Sequence, residues 1–200
     1  MTIREKYTAR LTIIEMLEDR GYIIPDMYKD VDLDTFRYLH NNKNIDMFIE
    51  KHKTENKKIY VKFTFSNLKA SIIRGYIDEI VKEYINGIDD KLLLILNDKP
   101  NNSILKIPKV HDYNMVEINW VNKLQFNITK HKLVPKHELL EKEDLETLID
   151  IYKITNLSQL PVILKNDPII KYYDFKPGNV CKITRPSPTS LNHVYYRYIK

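Results

Sequence analysis

HKLVPKHELL (131–140), LPVILKNDPIIKYYDFKPGNVCKITRPSPTS (160–190) and VYYRYIK (194–200) carry helix starts, tight turns and strand patterns in close succession. Asp167-Pro168 is a helix start, an N-cap followed by proline at the first helical position. That helix carries Ile169, Ile170 and Tyr173. Pro177-Gly178 reads as a turn, and Val180–Arg185 and Val194–Ile199 read as two strands joined by a Pro/Ser/Thr loop. Upstream, Leu145, Leu148, Ile149 and Tyr152 fall on one helix face, and Ser158 is a candidate cap for a short second helix. Residues 131–200 therefore read as a small complete domain, with mixed strands and short helices, preceded by a linker at Thr129–Lys136.

Residues 1–130 have a different rhythm. Leu11, Ile14, Leu17 and Glu18 share helical spacing, and Gly21 is a helix stop. Tyr22–Pro25 reads as extended. A helix starting near Asp32 or Asp34 is expected to carry Phe36 and Leu39 inward. Ile45–Ile49 and Ile59–Phe65 read as strands around a polar loop, Glu50–Lys58. In the second strand Ile59, Val61, Phe63 and Phe65 alternate with Tyr60, Lys62 and Thr64. Residues 68–86 form a strongly amphipathic helix with Ile72, Ile73, Tyr76, Ile77, Ile80, Val81 and Tyr84 on one face. Lys91–Leu96 is an apolar run suited to a buried central strand. A turn at 98–102 follows, with further strands expected at Val116–Asn119 and Leu124–Ile128. The fold class is α/β for residues 1–130 and α+β for residues 131–200.

Composition narrows the function. The chain is 43% hydrophobic and 30% charged, which is globular, and no run approaches the ~18 apolar residues of a membrane span. No membrane partner is expected. The single cysteine, Cys181, sits in an apolar strand pattern and suits a reducing compartment. Net charge is +5, but residues 1–130 carry 21 basic and 19 acidic side chains and residues 131–200 carry 11 and 8, so neither part is a polybasic arm. Lys outnumbers Arg 25 to 7, which suits phosphate contact better than base reading and points to an AT-rich genome.

Catalytic patterns are missing. The four glycines belong to no phosphate loop or dinucleotide fingerprint. His131 and His137 match no common metal spacing. The acids Glu138, Glu141, Glu143, Asp144 and Glu146 crowd a helix start, where they favour the helix dipole. A restriction-type nuclease needs an Asp on one strand and an acid-x-Lys on the next. Asp46 and Lys62 fill two of those roles, but Tyr60 stands where the second acid belongs. No cofactor, no metal and no catalytic residue are expected.

The C-terminal stretch resembles one family, the fifth subunit shared by the eukaryotic nuclear RNA polymerases together with its shorter archaeal RNA polymerase counterpart. The similar residues are His131 through His137, Asp167-Pro168 with Tyr172-Tyr173, Lys176-Pro177-Gly178 through Arg185, and Ser187, Thr189, Tyr196 and Arg197. Met16 through Tyr22 and Phe126 through Thr129 resemble the start and exit of the eukaryotic jaw domain. The resemblance implies a non-catalytic polymerase subunit with a nuclease-like but inactive jaw domain, 1–130, and a polymerase-assembly domain, 131–200. It implies docking on the largest subunit through His131, Pro135, His137, Arg185, Ser187, Thr189, Tyr196 and Arg197, with Val194–Ile199 as an exposed edge. It also implies lower-jaw contact with downstream duplex DNA, without sequence reading, through Ser66, Asn67 and Lys69 and through Lys99 and Pro100. Here the family's Thr-Pro-Ser-Ala string keeps only Pro100, and Pro188 stands where the family commonly has Glu. The composition suggests a giant DNA virus or an AT-rich protist; a viral copy would work in a cytoplasmic virus factory and travel in the virion, and a cellular copy would be nuclear. The alternatives are a free-standing DNA-binding protein or a transcription adaptor reusing the same domain.

Overall fold

A computed structural model describes residues 2–50, 52–53, 57–65, 69–85, 87, 89–111, 113–187 and 192–200. The chain forms two compact units, residues 1–126 and 127–200. The division falls ahead of the 130/131 boundary expected from the sequence. Asn127 already belongs to the second unit: its side chain accepts hydrogen bonds from the Thr129 backbone and hydroxyl at 3.0 and 2.7 Å, and donates to the Tyr172 hydroxyl at 3.0 Å.

Helix α1 (Ile3–Asp19) opens the first unit with a reciprocal cap, in which Thr2 accepts from the Glu5 N–H and Glu5 accepts from the Thr2 N–H. It buries Ala9, Ile13, Ile14, Met16 and Leu17; Leu11, expected on this face, looks outward. Gly21 ends the helix at φ +93°, with Tyr22 N–H reaching Leu17 O and Gly21 N–H reaching Glu18 O, both at 2.9 Å. Tyr22–Pro25 is free of helix, and a short helix, α2 (Asp26–Lys29), follows Pro25. Asp32 caps α3 (Leu33–Asn41), which buries Phe36.

Four strands make the first sheet: β1 (Met47–Ile49), β2 (Ile59–Phe63), β3 (Lys91–Leu96) and β4 (Val116–Trp120), in that spatial order. β1 runs antiparallel to β2, whereas β2, β3 and β4 are parallel. Parallel neighbours need crossovers, supplied by α4 (Ala70–Tyr84) and α5 (Asn102–Val110). Leu92, Leu94 and Leu96 of β3 pack with Ile73, Ile77 and Ile80 of α4 and Ile104 and Ile107 of α5. Ile72 and Tyr76 lie outside this core, 49% and 40% exposed, so the buried stripe of α4 is narrower than its apolar face.

Two expectations fail here. The sequence reading found no helix at 102–110. Asn101 caps it by accepting from Ile104 N–H, and the helix runs on through Pro108, whose missing N–H costs it one backbone bond, for only two further residues. The strand expected at Leu124–Ile128 is absent: Val121–Leu124 is a tight 3-10 turn, and the Gln125 amide donates to Val121 O and Glu5 O, both at 2.9 Å.

The second unit holds β5 (Lys136–Leu139), α6 (Lys142–Tyr152), β6 (Val162–Ile163), α7 (Pro168–Tyr173), β7 (Val180–Pro186) and β8 (Asn192–Ile199). Its sheet runs β5-β7-β8-β6, antiparallel except for β6 with β8. β8 is thus not the outermost strand, although β6 pairs only with Tyr198 and Ile199. Asp167 accepts from Ile169 N–H at 2.8 Å to cap α7, which buries Ile169, Ile170 and Tyr172, with Tyr173 half-buried. Asn156, not Ser158, caps the 3-10 turn at Leu157–Gln159, because its side chain accepts the Ser158 N–H. Ile163, Ile170, Cys181, Ile183 and Ile199 form the core. Among the described residues of either unit, no helix is long and apolar enough to cross a membrane.

Candidate functional site

In the second unit, the sheet face that holds Cys181 and Ile183 is only partly covered. Alternation puts His137, Ile183 and Tyr195 in one row across β5, β7 and β8, since His137 pairs with Ile183 and Ile183 with Tyr195. Arg185 and Arg197 lie on the same face, two residues along β7 and β8 from that row. These five residues, with Pro135, line an open groove of about 460 Å³. Leu133, Val134, Ile163 and Ile169 add apolar lining, and Asp167 adds one acid. His137 is buried, and its Nδ1 lies 2.8 Å from Pro135 O, which fixes the ring against the turn before β5.

Pro135, His137, Arg185 and Arg197 thus come together from the docking set expected from the sequence. His131 does not line the groove; it shapes the turn ahead of β5, where its Nδ1 accepts from Leu133 N–H at 3.2 Å and its carbonyl from Val134 N–H at 2.9 Å. Tyr196 pairs with Lys182 and faces the opposite side of the sheet from Arg197. Ser187 follows β7, half-buried, and Thr189 lies outside the described residues. Ile183 and Tyr195 were missed as site residues, although alternation along each strand signals them as companions of Arg185 and Arg197.

The first unit has a second candidate surface. The chain leaves the carboxyl ends of the parallel neighbours β2 and β3 and enters α4 and α5, so both helix N-termini open at the same end of the sheet. Exposed Lys69 is the N-cap of α4, and exposed Lys99 stands just ahead of α5. Pro100 is buried, so of that pair only Lys99 presents its side chain to solvent. Ser66 and Asn67 lie outside the described residues. A shallow groove of about 240 Å³ between α4 and α5 adds Ser71, Arg74 and Ser103. Ser103 sits on α5, a helix the sequence pattern does not announce, whereas Ser71 and Arg74 are exposed residues of α4.

Asp46, Tyr60 and Lys62 also converge. Asp46 accepts from Lys62 Nζ at 2.5 Å, from the Phe63 N–H at 2.9 Å and from the Tyr60 hydroxyl at 3.4 Å. Tyr60 stacks on Tyr84 with ring centroids 4.4 Å apart. Burial, then the Asp46 charge, pushes the Tyr60 phenol far above its ordinary range, so it remains a protonated donor. The cluster offers one carboxylate, already bonded to a lysine. Among the described residues no group of three or more His, Cys, Asp and Glu is placed to hold a metal ion.

Comparison with known proteins bears on both units. The model of the RNA polymerase Rpb5 N-terminal domain matches residues 2–80, and that of the RNA polymerase Rpb5 C-terminal domain matches residues 126–199. Subunit 5B of the DNA-directed RNA polymerases IV and V of Arabidopsis thaliana is 33% identical over 199 residues, covering 96% of this chain and 88% of its own. The chain belongs to the Rpb5 family of RNA polymerase subunits. A Dictyostelium discoideum subunit of DNA-directed RNA polymerases I, II and III is 31% identical, covering 94% of this chain and 93% of its own. The RNA polymerase subunit Rpo5 of Pyrococcus horikoshii is 46% identical over 77 residues, 38% of this chain and 93% of its own. The Rpb5 C-terminal match contains every groove residue, from Leu133 to Arg197.

Proposed function

We propose that this chain is a non-catalytic subunit of a multisubunit DNA-directed RNA polymerase. The C-terminal unit docks on the largest subunit through the groove of Pro135, His137, Arg185 and Arg197. The N-terminal unit is a nuclease-like scaffold without activity that forms part of the lower jaw and touches downstream duplex DNA. The observation that carries this reading is the convergence of those four residues on one partly apolar face. Apolar surface flanked by arginine is the composition of binding hot spots. Support for the jaw role comes from exposed Lys69 and Lys99 at two helix N-termini on one sheet end, where phosphate oxygens are favoured and bases are not read.

The other subunits of the enzyme are the expected partners. A Lys-rich, Arg-poor composition supports an AT-rich genome, and a large DNA virus is our reading of the source. Such a copy works in the cytoplasmic virus factory and travels in the virion; a cellular copy works in the nucleus.

The test is a tagged pull-down from native source material with mass spectrometry. Stoichiometric recovery of two very large polymerase subunits is expected, and their sequences identify the source. A clean preparation without them overturns the reading in favour of an adaptor or a free-standing DNA-binding protein. In the purified enzyme, a photo-crosslinker at position 69 or 99 is expected to label downstream DNA; labelling of protein alone would sink the jaw contact.

A further inference from the structure

The docking groove carries two exposed arginines. Among the described residues Arg185 has no ion pair, and the Arg197 guanidinium donates one 3.4 Å bond, to Val162 O. Asp167, the one acid on the groove wall, is engaged as the cap of α7. The two arginines flank the apolar row symmetrically. Arg185 lies at the level of His193, Ile183 pairs with Tyr195, and Arg197 lies at the level of Cys181. Their backbone positions are therefore four residues apart along the strands, roughly 13 Å at ~3.4 Å per residue. That is the span of a short extended peptide.

The choice of residue is informative as well. Only 7 of the 32 basic residues are arginine, so lysine is this chain's default cation. Arginine differs in its planar fork, which meets a carboxylate with two parallel hydrogen bonds and tolerates apolar surroundings. An apolar floor of Ile183, Ile163 and Ile169, with Leu133 82% exposed at the rim, suits a peptide better than a phosphate backbone.

We propose that the groove takes an extended acidic–apolar–acidic segment of the largest polymerase subunit. Its apolar side chain seats on the Ile183–Tyr195 row, and one carboxylate pairs with each arginine. This rests on the docking reading above and adds the chemistry of the partner.

The experiment uses the full-length chain, reconstituted with polymerase stripped of this subunit, and an array of overlapping synthetic peptides that tile the largest subunit. Both arginines are exposed, so Arg185→Glu/Arg197→Glu is expected to keep the wild-type melting curve. Incorporation of that variant should fall about tenfold or more, and Arg185→Lys/Arg197→Lys should lie between it and wild type. On the array, the wild-type chain should bind peptides with two acids around an apolar residue, and replacing those acids with alanine should abolish the signal. Normal incorporation of the Glu variant beside normal wild-type incorporation overturns the acidic-segment inference and leaves docking standing. Failure of the wild-type chain to incorporate overturns the docking reading itself. Capture only of peptides without acids, or displacement of bound peptide by duplex DNA at equal concentration, also overturns the inference.

Discussion

Replacing Asp46 with alanine tests whether the Asp46–Tyr60–Lys62 cluster is a structural bond or a vestige of chemistry. The Asp46 side chain is 14% exposed and that of Lys62 is 22%. Deletion leaves the Phe63 N–H without its acceptor at the end of β2 and strands the Lys62 charge beside Tyr60. An unsatisfied buried N–H costs roughly 1–3 kcal/mol, and breaking a buried ion pair from one side roughly 3–5 kcal/mol. Lys62 is flexible enough to find water, which lowers the second figure. The expected loss for Asp46→Ala is therefore about 2–4 kcal/mol. Asp46→Asn keeps an oxygen for the Phe63 N–H and should lose about half as much. Adding Lys62→Met to Asp46→Ala should recover roughly 1–2 kcal/mol, since the stranded cation is then gone. The assay is urea unfolding followed by fluorescence of the single tryptophan, Trp120, which lies on β4 of the same sheet and so reports its own unit. A remnant kept only for chemistry would leave stability unchanged or raised on removal. An Asp46→Ala midpoint equal to wild type would refute the structural reasoning.

Three other outcomes are expected. Gly21 and Gly178 share φ +93°, but a Cβ at Gly21 would come within 2.8 Å of His52 Nε2 while one at Gly178 meets nothing. Gly21→Ala should therefore destabilise its unit more than Gly178→Ala does its own, by about 1 kcal/mol or more in urea titrations. Burial pushes the Cys181 thiol up to about 11. At pH 8 the folded chain should therefore react with Ellman's reagent about 100-fold more slowly than the unfolded chain, and an equal rate would contradict the buried placement. Burial pushes the Glu117 carboxyl up, but the Arg20 charge and hydrogen bonds from Arg20 and Asn119 outweigh it, leaving the pKa below the ordinary 4.5. A depressed pKa gives stability that is full above the unfolded value and fades as pH falls through the folded one. Glu117→Gln should then be less stable than wild type at pH 7, and the gap in the Trp120 transition should narrow below about pH 4.5.

Legibility followed the range of the determining contacts. Gly21, Asp167-Pro168 and the alternation of Ile59 to Phe63 were readable, because each is set within a few residues. Strand β5 was not: Lys136–Leu139 is a charged, mixed tetrapeptide that becomes a strand only by pairing with Cys181–Thr184, far along the chain. The two-residue β6 has the same origin in Tyr198 and Ile199. Helix α5 hid behind Pro108, a residue that argues against helix wherever it is not at an end. At the candidate groove, the family resemblance points to Arg185, Arg197 and Tyr196 together, and Tyr196 lies on the opposite face of the sheet from the two arginines. Period-two alternation along Asn192–Ile199 already separates Tyr196 from Arg197 and pairs Arg197 with Tyr195.

The position of β8 has a consequence for synthesis of the chain. The sheet's last strand in chain order, β8, is an inner strand, lying between β7 and β6. Until Asn192–Ile199 has left the ribosome, β6 has no neighbour and β7 offers an open edge beyond β5. Of this sheet, only the β5–β7 pair can form before β8 is made. A chain cut before Asn192 lacks both the inner strand and Tyr195 and Arg197 of the groove, so the same eight residues complete the sheet and the groove together.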